Sequence, residues 1–184
     1  HRVSMALRGT RPSIDDIERI ENNPDALRAL AEEYVASEAF VRTVGDMYAE
    51  RLLMRSTNLI VPNVGPLAGA SGSTIRNALS EEPLRLIEEV VRSDMPFGDI
   101  ANADWTILDE TGAKIWASHT YDASVGGIQK VTFTDNRPPA GILRTGGYLV
   151  RHESNGANYH RSRANMIADT LLCASFSDRD IPIT

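Results

Sequence analysis

Residues Ser13–Met54 read SIDDIERIENNPDALRALAEEYVASEAFVRTVGDMYAERLLM, and that stretch predicts three successive amphipathic helices. Ser13 follows Pro12 as a capping residue, Asp15 and Asp16 fall in the first turn, and Ile17 and Ile20 keep helical spacing, so a helix is expected over about 13–21. Asn22-Asn23-Pro24 interrupts it. Pro24 suits the first turn of a second helix that carries Leu27, Leu30, Ala31, Tyr34 and Val35 on one face. Ser37-Glu38 opens a third, to about Met54, with Phe40, Val41, Val44, Met47, Tyr48, Leu52 and Leu53 three or four apart. Helices joined by such short breaks pack as an antiparallel cluster. The expected fold class is mainly α, an irregular helical domain with one small β element.

Outward from that cluster, residues 55–74 hold Asn63, Gly65, Pro66, Gly69, Ser71, Gly72 and Ser73, too many turn formers for a regular element, and read as a mobile surface loop. Helical periodicity returns with Ile75, Leu79, Leu84, Ile87, Val90 and Val91 and ends near Pro96. A short helix is expected from Asp104 to Trp116, capped by Asp104 or Thr106, with Trp105 and Trp116 on a shared face as core or as an aromatic surface. Gln129–Thr134 alternates polar and apolar residues with a β-branched bias and is the one clear strand; Ala113–Trp116 or a segment outside this sequence would pair with it. Two further helices are expected over 141–150 and 158–173. The chain therefore divides into an N-terminal helical cluster (1–54), a loop (55–74) and a helical domain with a short strand and a C-terminal module (75–184).

With 184 residues of which 42% are apolar, the chain can bury a core. A net charge of -6 disfavours a duplex nucleic-acid surface, whose affinity comes from clustered Lys and Arg. No apolar run approaches the ~20 residues of a membrane-spanning helix. The sequence opens at His1 and reads as a piece of a longer protein, so the lack of a visible leader carries no weight. A single cysteine, Cys173, excludes an internal disulfide and a Cys-x-x-Cys-His haem attachment within these residues. A buried structural thiol is its simpler fate, and a bond to a cysteine elsewhere the alternative.

Candidate chemistry is sparse. His119, His152 and His160 are scattered; His152 and His160, eight residues apart across a loop, could converge on a metal or a haem edge, but no Cys or His-x-x-x-His partner supports a metal site, and none is assigned. His152, Glu153 and Arg151 could equally form a surface ion pair. Asp104, Asp109 and Glu110 could act as paired carboxylates, although capping accounts for them more simply. Gly65–Gly72 lacks the Gly-Lys-Ser/Thr ending of a phosphate loop, and Ser71 and Ser73 lack a nucleophile elbow. Asn155–Asn158 invites a tight turn that presents Tyr159, His160, Arg161 and Arg163 near the start of the last helix. His152, His160, Arg161 and Arg163 are the cofactor-binding candidates, because an arginine pair at a helix start can grip a carboxylate such as a haem propionate. No catalytic residue is assigned.

Several segments share a pattern. Arg2–Ser13 is similar to R-L-[ST]-x-x-L-R-G-x-x-P-[ST]; Leu79–Glu82 with Asp94–Ile100 is similar to L-x-x-E…D-x-P-[FVY]-x-[DE]-[IL]; and Ala103–Asp109 fits A-D-[YW]-T-x-[LV]-[ND]. Gly141-Ile142-Leu143, Gly146 and Leu149 fit G-[IL]-L-x-x-G-x-[FYL]-L, and Tyr159–Ala164 stands where a SPVxRG-like motif would precede a helix ending in Leu-Leu-Cys, here Leu171-Leu172-Cys173. On these motifs the chain resembles planctomycete-type modules of unknown function that accompany c-type cytochrome segments. The resemblance implies a secreted, periplasmic or cell-envelope helical domain giving scaffold or electron-transfer support. Its partners would be other protein subunits or cytochrome domains, with a c-type haem carried by the full-length protein or an adjacent chain and not by these residues. An envelope hydrolase or carbohydrate-active module using Asp104, Asp109 or His152, and a purely structural assembly subunit, are the alternatives.

Overall fold

The computed structural model describes residues 1–55, 61, 63–157 and 159–174. Of the expected surface loop, residues 56–60 and 62 lie outside the described residues, as does Asn158. Among the described residues the fold is mainly α-helical with one small two-stranded antiparallel sheet.

The N-terminal cluster contains α1 (Arg2–Arg8), α2 (Ile14–Asn22), α3 (Leu27–Val35) and α4 (Glu38–Arg51). Ser13 and Asp16 form a capping box at the start of α2, each side chain taking the other's backbone N–H, and Ser37 caps α4. Asp16 also accepts from the Tyr34 hydroxyl at 2.7 Å and from Arg8 at 3.2 Å, and Arg8 lies 3.7 Å over the Tyr34 ring, so one carboxylate ties α1, α2 and α3 together. The Tyr34 hydrogen bond is the main reason its pKa falls below the ordinary carboxylate value.

The centre of the molecule is α5 (Gly72–Arg92), capped by Ser71. Its apolar face is buried by α4 on one side and, on the other, by the sheet and the C-terminal helices. The main core draws on both sides of the 55–74 segment: Ala49, Leu52 and Met54 pack with Leu84, Leu86, Ile87, Val90, Ile100, Ala103 and Ile142. Among the described residues no helix is long and apolar enough to cross a membrane.

The stretch from Asp104 to Trp116 is not one helix. After the short α6 (Asp99–Asn102), Trp105–Leu108 forms β1, paired antiparallel with β2 (Gln129–Thr132) in the register Trp105↔Thr132 to Leu108↔Gln129. Only then comes α7 (Glu110–Ile115), capped by Asp109, whose side chain accepts from the Gly112 N–H at 2.8 Å. Trp105, Thr106 and Ile107 are aromatic or β-branched and suit the pleated surface over α5, where Thr106, Ile107 and Leu108 are buried. The partner strand for β2 is therefore β1 and not Ala113–Trp116. Trp105 and Trp116 sit on different elements and share no helical face.

The expected helix over 141–150 is also divided. Gly141–Arg144 is a 3-10 turn, Thr145 is extended and wholly buried with its hydroxyl donating to the Ile142 carbonyl at 2.6 Å, and α8 runs from Gly146 to Arg151. Among the described residues the last helix, α9, spans Arg161–Leu171.

Candidate functional site

Along α5, Ile75, Leu79, Glu82, Leu86 and Val90 recur three or four residues apart, so Glu82 stands on the inward stripe of an apolar helix. It is 2% exposed. Three donors meet its carboxyl group: the Thr106 hydroxyl from β1 at 3.1 Å and the Trp116 indole N–H from the end of α7 at 3.2 Å, both on Oε1, and the Gly146 N–H from the first residue of α8 at 2.7 Å on Oε2. Burial outweighs these bonds and pushes the Glu82 carboxyl up to about 7. A pKa there would suit proton transfer in a cleft. Enclosed as it is, Glu82 offers no face to a substrate and serves as the joint of three elements.

The residue after Glu82 prepares the approach of α8. Pro83 has no N–H to give to the Leu79 carbonyl one turn earlier. The Gly146–Gly147 backbone is laid against that turn, where a Cβ on Gly147 would stand 2.1 Å from the Leu79 carbonyl oxygen. Two glycines therefore let the start of α8 come close enough for Gly146 to donate to Glu82.

Beside this joint lies an aromatic and cationic layer. Phe133 meets Trp116 edge-on at 5.5 Å between ring centroids, and two guanidinium groups stand over Phe133, Arg137 at 4.0 Å and Arg144 at 4.7 Å. Arg137 is neutralised by Asp135, with Nε–Oδ1 at 2.8 Å and Nη2–Oδ2 at 2.5 Å. Arg144 is 8% exposed, and its Nη1 donates to the Pro138 carbonyl at 3.2 Å. Burial first, and the neighbouring Arg137 second, lower its pKa from the ordinary arginine value.

The four residues nominated from sequence divide into two pairs. His152 is 4% exposed, Nε2–H donates to the Leu52 carbonyl at 3.2 Å, and its ring lies 5.1 Å from that of Tyr148. It is an interior residue, not a surface one, and burial lowers its pKa below the ordinary imidazole value. Arg163 turns inward as well, with Nε donating to the His152 carbonyl at 2.7 Å and Nη2 to the Leu149 carbonyl at 3.2 Å. It thus satisfies carbonyls at the end of α8, where a helix leaves them without partners. His160, at φ 73°, and Arg161 are exposed at the start of α9. The candidates do not converge on one pocket. Replacing Arg163 with Ala is expected to lower unfolding free energy by about 2 kcal/mol, read as a shifted urea midpoint with an unchanged slope, because both carbonyls lose a charged donor.

The remaining sequence candidates have local partners. His119 lies 2.8 Å from the Ala113 carbonyl and accepts from the Tyr121 N–H at 3.1 Å. Asp109 caps α7 and pairs with Arg85 at 3.0 Å, while Asp104 is exposed and caps nothing. Cys173 is exposed, not buried, because α9 ends before it. Among the described residues no three His, Cys, Asp or Glu side chains are grouped to hold a metal ion. Sequence reasoning missed Glu82 and Arg144 as focal residues. The available signals were an acidic residue in the inward register of α5 and an arginine inside the apolar Gly141–Leu149 run.

No protein-family model, curated protein or solved structure matches the chain.

Proposed function

We propose that this chain is a scaffold, the helical non-haem part of a larger c-type cytochrome-like protein of the cell envelope, which holds neighbouring cytochrome domains or subunits in position. One observation carries the reading. Residues from three of the segments on which the family resemblance rests hold the fold together: Glu82 of the L-x-x-E segment receives Thr106 of the A-D-W-T segment and Gly146 of the G-I-L-x-x-G segment. Arg8, in the opening motif, lies on the Tyr34–Asp16 joint in the same way. Motif residues that tie one segment to another serve architecture, and the chemistry is then left to a cofactor carried elsewhere. The acid–base alternative has less to stand on, since Asp109 is occupied by a cap and an ion pair and His152 by the Leu52 carbonyl.

The test is a reduced-minus-oxidised visible spectrum and a pyridine haemochrome assay on the natively purified full-length protein and, separately, on residues 1–184. The scaffold reading expects sharp c-type bands from the full-length protein or its co-purifying partner and none from 1–184. Bands absent from both full-length protein and partners would overturn it.

A further inference from the structure

Of the four N-terminal helices, α2 alone buries no residue, although it carries Ile17 and Ile20 one turn apart. These two side chains face a cavity of about 240 Å³, whose other walls are Val3 of α1 and Leu27 and Leu30 of α3. Ile17 and Leu27 are exposed, which gives the cavity a mouth. Two ties to α3 hold α2 at this spacing: Arg19 grips both Glu33 carboxylate oxygens at 2.8 Å, and Asp16 accepts from the Tyr34 hydroxyl at 2.7 Å. Folded chains pack with few voids larger than a water molecule, so an aliphatic-walled space of this size is fit for a ligand.

Asp16 and Tyr34 form the polar end of the cavity. The Ser13 N–H, the Tyr34 hydroxyl and the Arg8 guanidinium all donate to Asp16 Oδ2. Among the described residues no hydrogen bond ends on Oδ1, and the enclosed side-chain atoms without partners are all arginine nitrogens, so Oδ1 is an accessible acceptor. Arg8 already meets the charge of this carboxylate.

We propose that this cavity binds a small neutral phenol, with the ring between the aliphatic walls of α1, α2 and α3 and the hydroxyl donating to Asp16 Oδ1. Size and charge set the ligand class. An apolar cavity of ~150 Å³ holds a benzene ring, so this one takes a single ring with a short substituent. An ammonium would lose its hydration and stand as a second cation beside Arg8, whereas a hydroxyl brings the donor without the charge. A phenolic O–H is more acidic than that of an alcohol and so the better donor to a carboxylate. The site lies outside the scaffold reading and does not depend on it.

The experiment is a titration of the chain at pH 7 with p-cresol, toluene and benzylamine, followed through the methyl NMR signals of Val3, Ile17, Ile20, Leu27 and Leu30. It is run on the wild type and on Ile20→Phe, which fills the cavity from a helix that buries nothing. p-Cresol is expected to shift the wild-type signals saturably and to bind about tenfold more tightly than toluene, as one hydrogen bond to a charged acceptor provides, with benzylamine no tighter than toluene. Ile20→Phe is expected to lose the response; should it fail to fold, the wild-type ranking decides alone. Signals unmoved by all three compounds, or an undiminished response of Ile20→Phe, overturn the site. Equal binding of p-cresol and toluene overturns the hydroxyl contact with Asp16, and tightest binding of benzylamine overturns the neutral class.

Discussion

Replacing Glu82 with Ala is expected to lower the unfolding free energy by about 4 kcal/mol, a large part of the stability of an ordinary domain. The substitution leaves the Thr106 hydroxyl, the Trp116 indole N–H and the Gly146 N–H in a dry interior without their acceptor. Glu82→Gln is expected to cost about half as much, since an amide accepts at one end only and its NH2 would face a donor at the other. The two variants also separate by pH. The Glu82 pKa rises from 4.5 in the unfolded chain to about 7 in the fold, so the folded state binds the extra proton. Its contribution is full below pH 4.5 and is lost as pH rises through about 7, a change of about 3 kcal/mol. Among the three partners the Thr106 hydroxyl can reverse its role and accept from the protonated acid. Urea midpoints at pH 5 and pH 8 should therefore fall with pH for the wild type and lose that component in Glu82→Gln. Parallel pH dependences for the two proteins would show that Glu82 titrates in the fold as it does in the unfolded chain.

Gly147→Ala is expected to cost about 4 kcal/mol or to prevent folding. The new Cβ would sit 2.1 Å from the Leu79 carbonyl oxygen, 3.0 Å from its carbon and 3.2 Å from the Pro83 Cδ. All three atoms belong to backbone or to a fixed ring, so none can swing aside. Relief requires α8 to retreat from α5, which draws the Gly146 N–H off Glu82. Gly156→Ala provides the comparison, because a Cβ there meets nothing within 4 Å, and its expected cost is below about 0.5 kcal/mol. Thermal melts of the two variants check this, and equal midpoints would mean that the α5–α8 contact yields without cost.

The helical cluster was legible in the sequence because its determinants are local. Ser13 and Ser37 cap the helices they precede, and apolar residues three or four apart face the core. β1 was not legible. Four residues are too few to display alternation, and Trp105–Leu108 becomes a strand only by pairing with Gln129–Thr132. The break at Thr145 depends likewise on Glu82 drawing the Gly146 N–H away from a continuous helix. For the site, local spacing does not separate a polar residue that turns inward from one that faces solvent. His152 and Arg163 are interior because the end of α8 offers them carbonyls and packing partners, and Glu82 is interior because three remote segments supply donors. Those partners lie outside any window in which a local pattern could be recognised.

The separations at Glu82 also set an order of events during synthesis. Its donors follow it by 24, 34 and 64 residues, so the chain emerging from a ribosome presents the acid long before the last of them exists. Until Gly146 has been added, Oε2 has no backbone donor, and the α5 surface around it must stay hydrated or be shielded by a chaperone. The joint thus reports completeness: a nascent or prematurely terminated chain lacking α8 carries a half-satisfied acid on an open apolar face, the kind of surface that quality-control machinery retains and degrades.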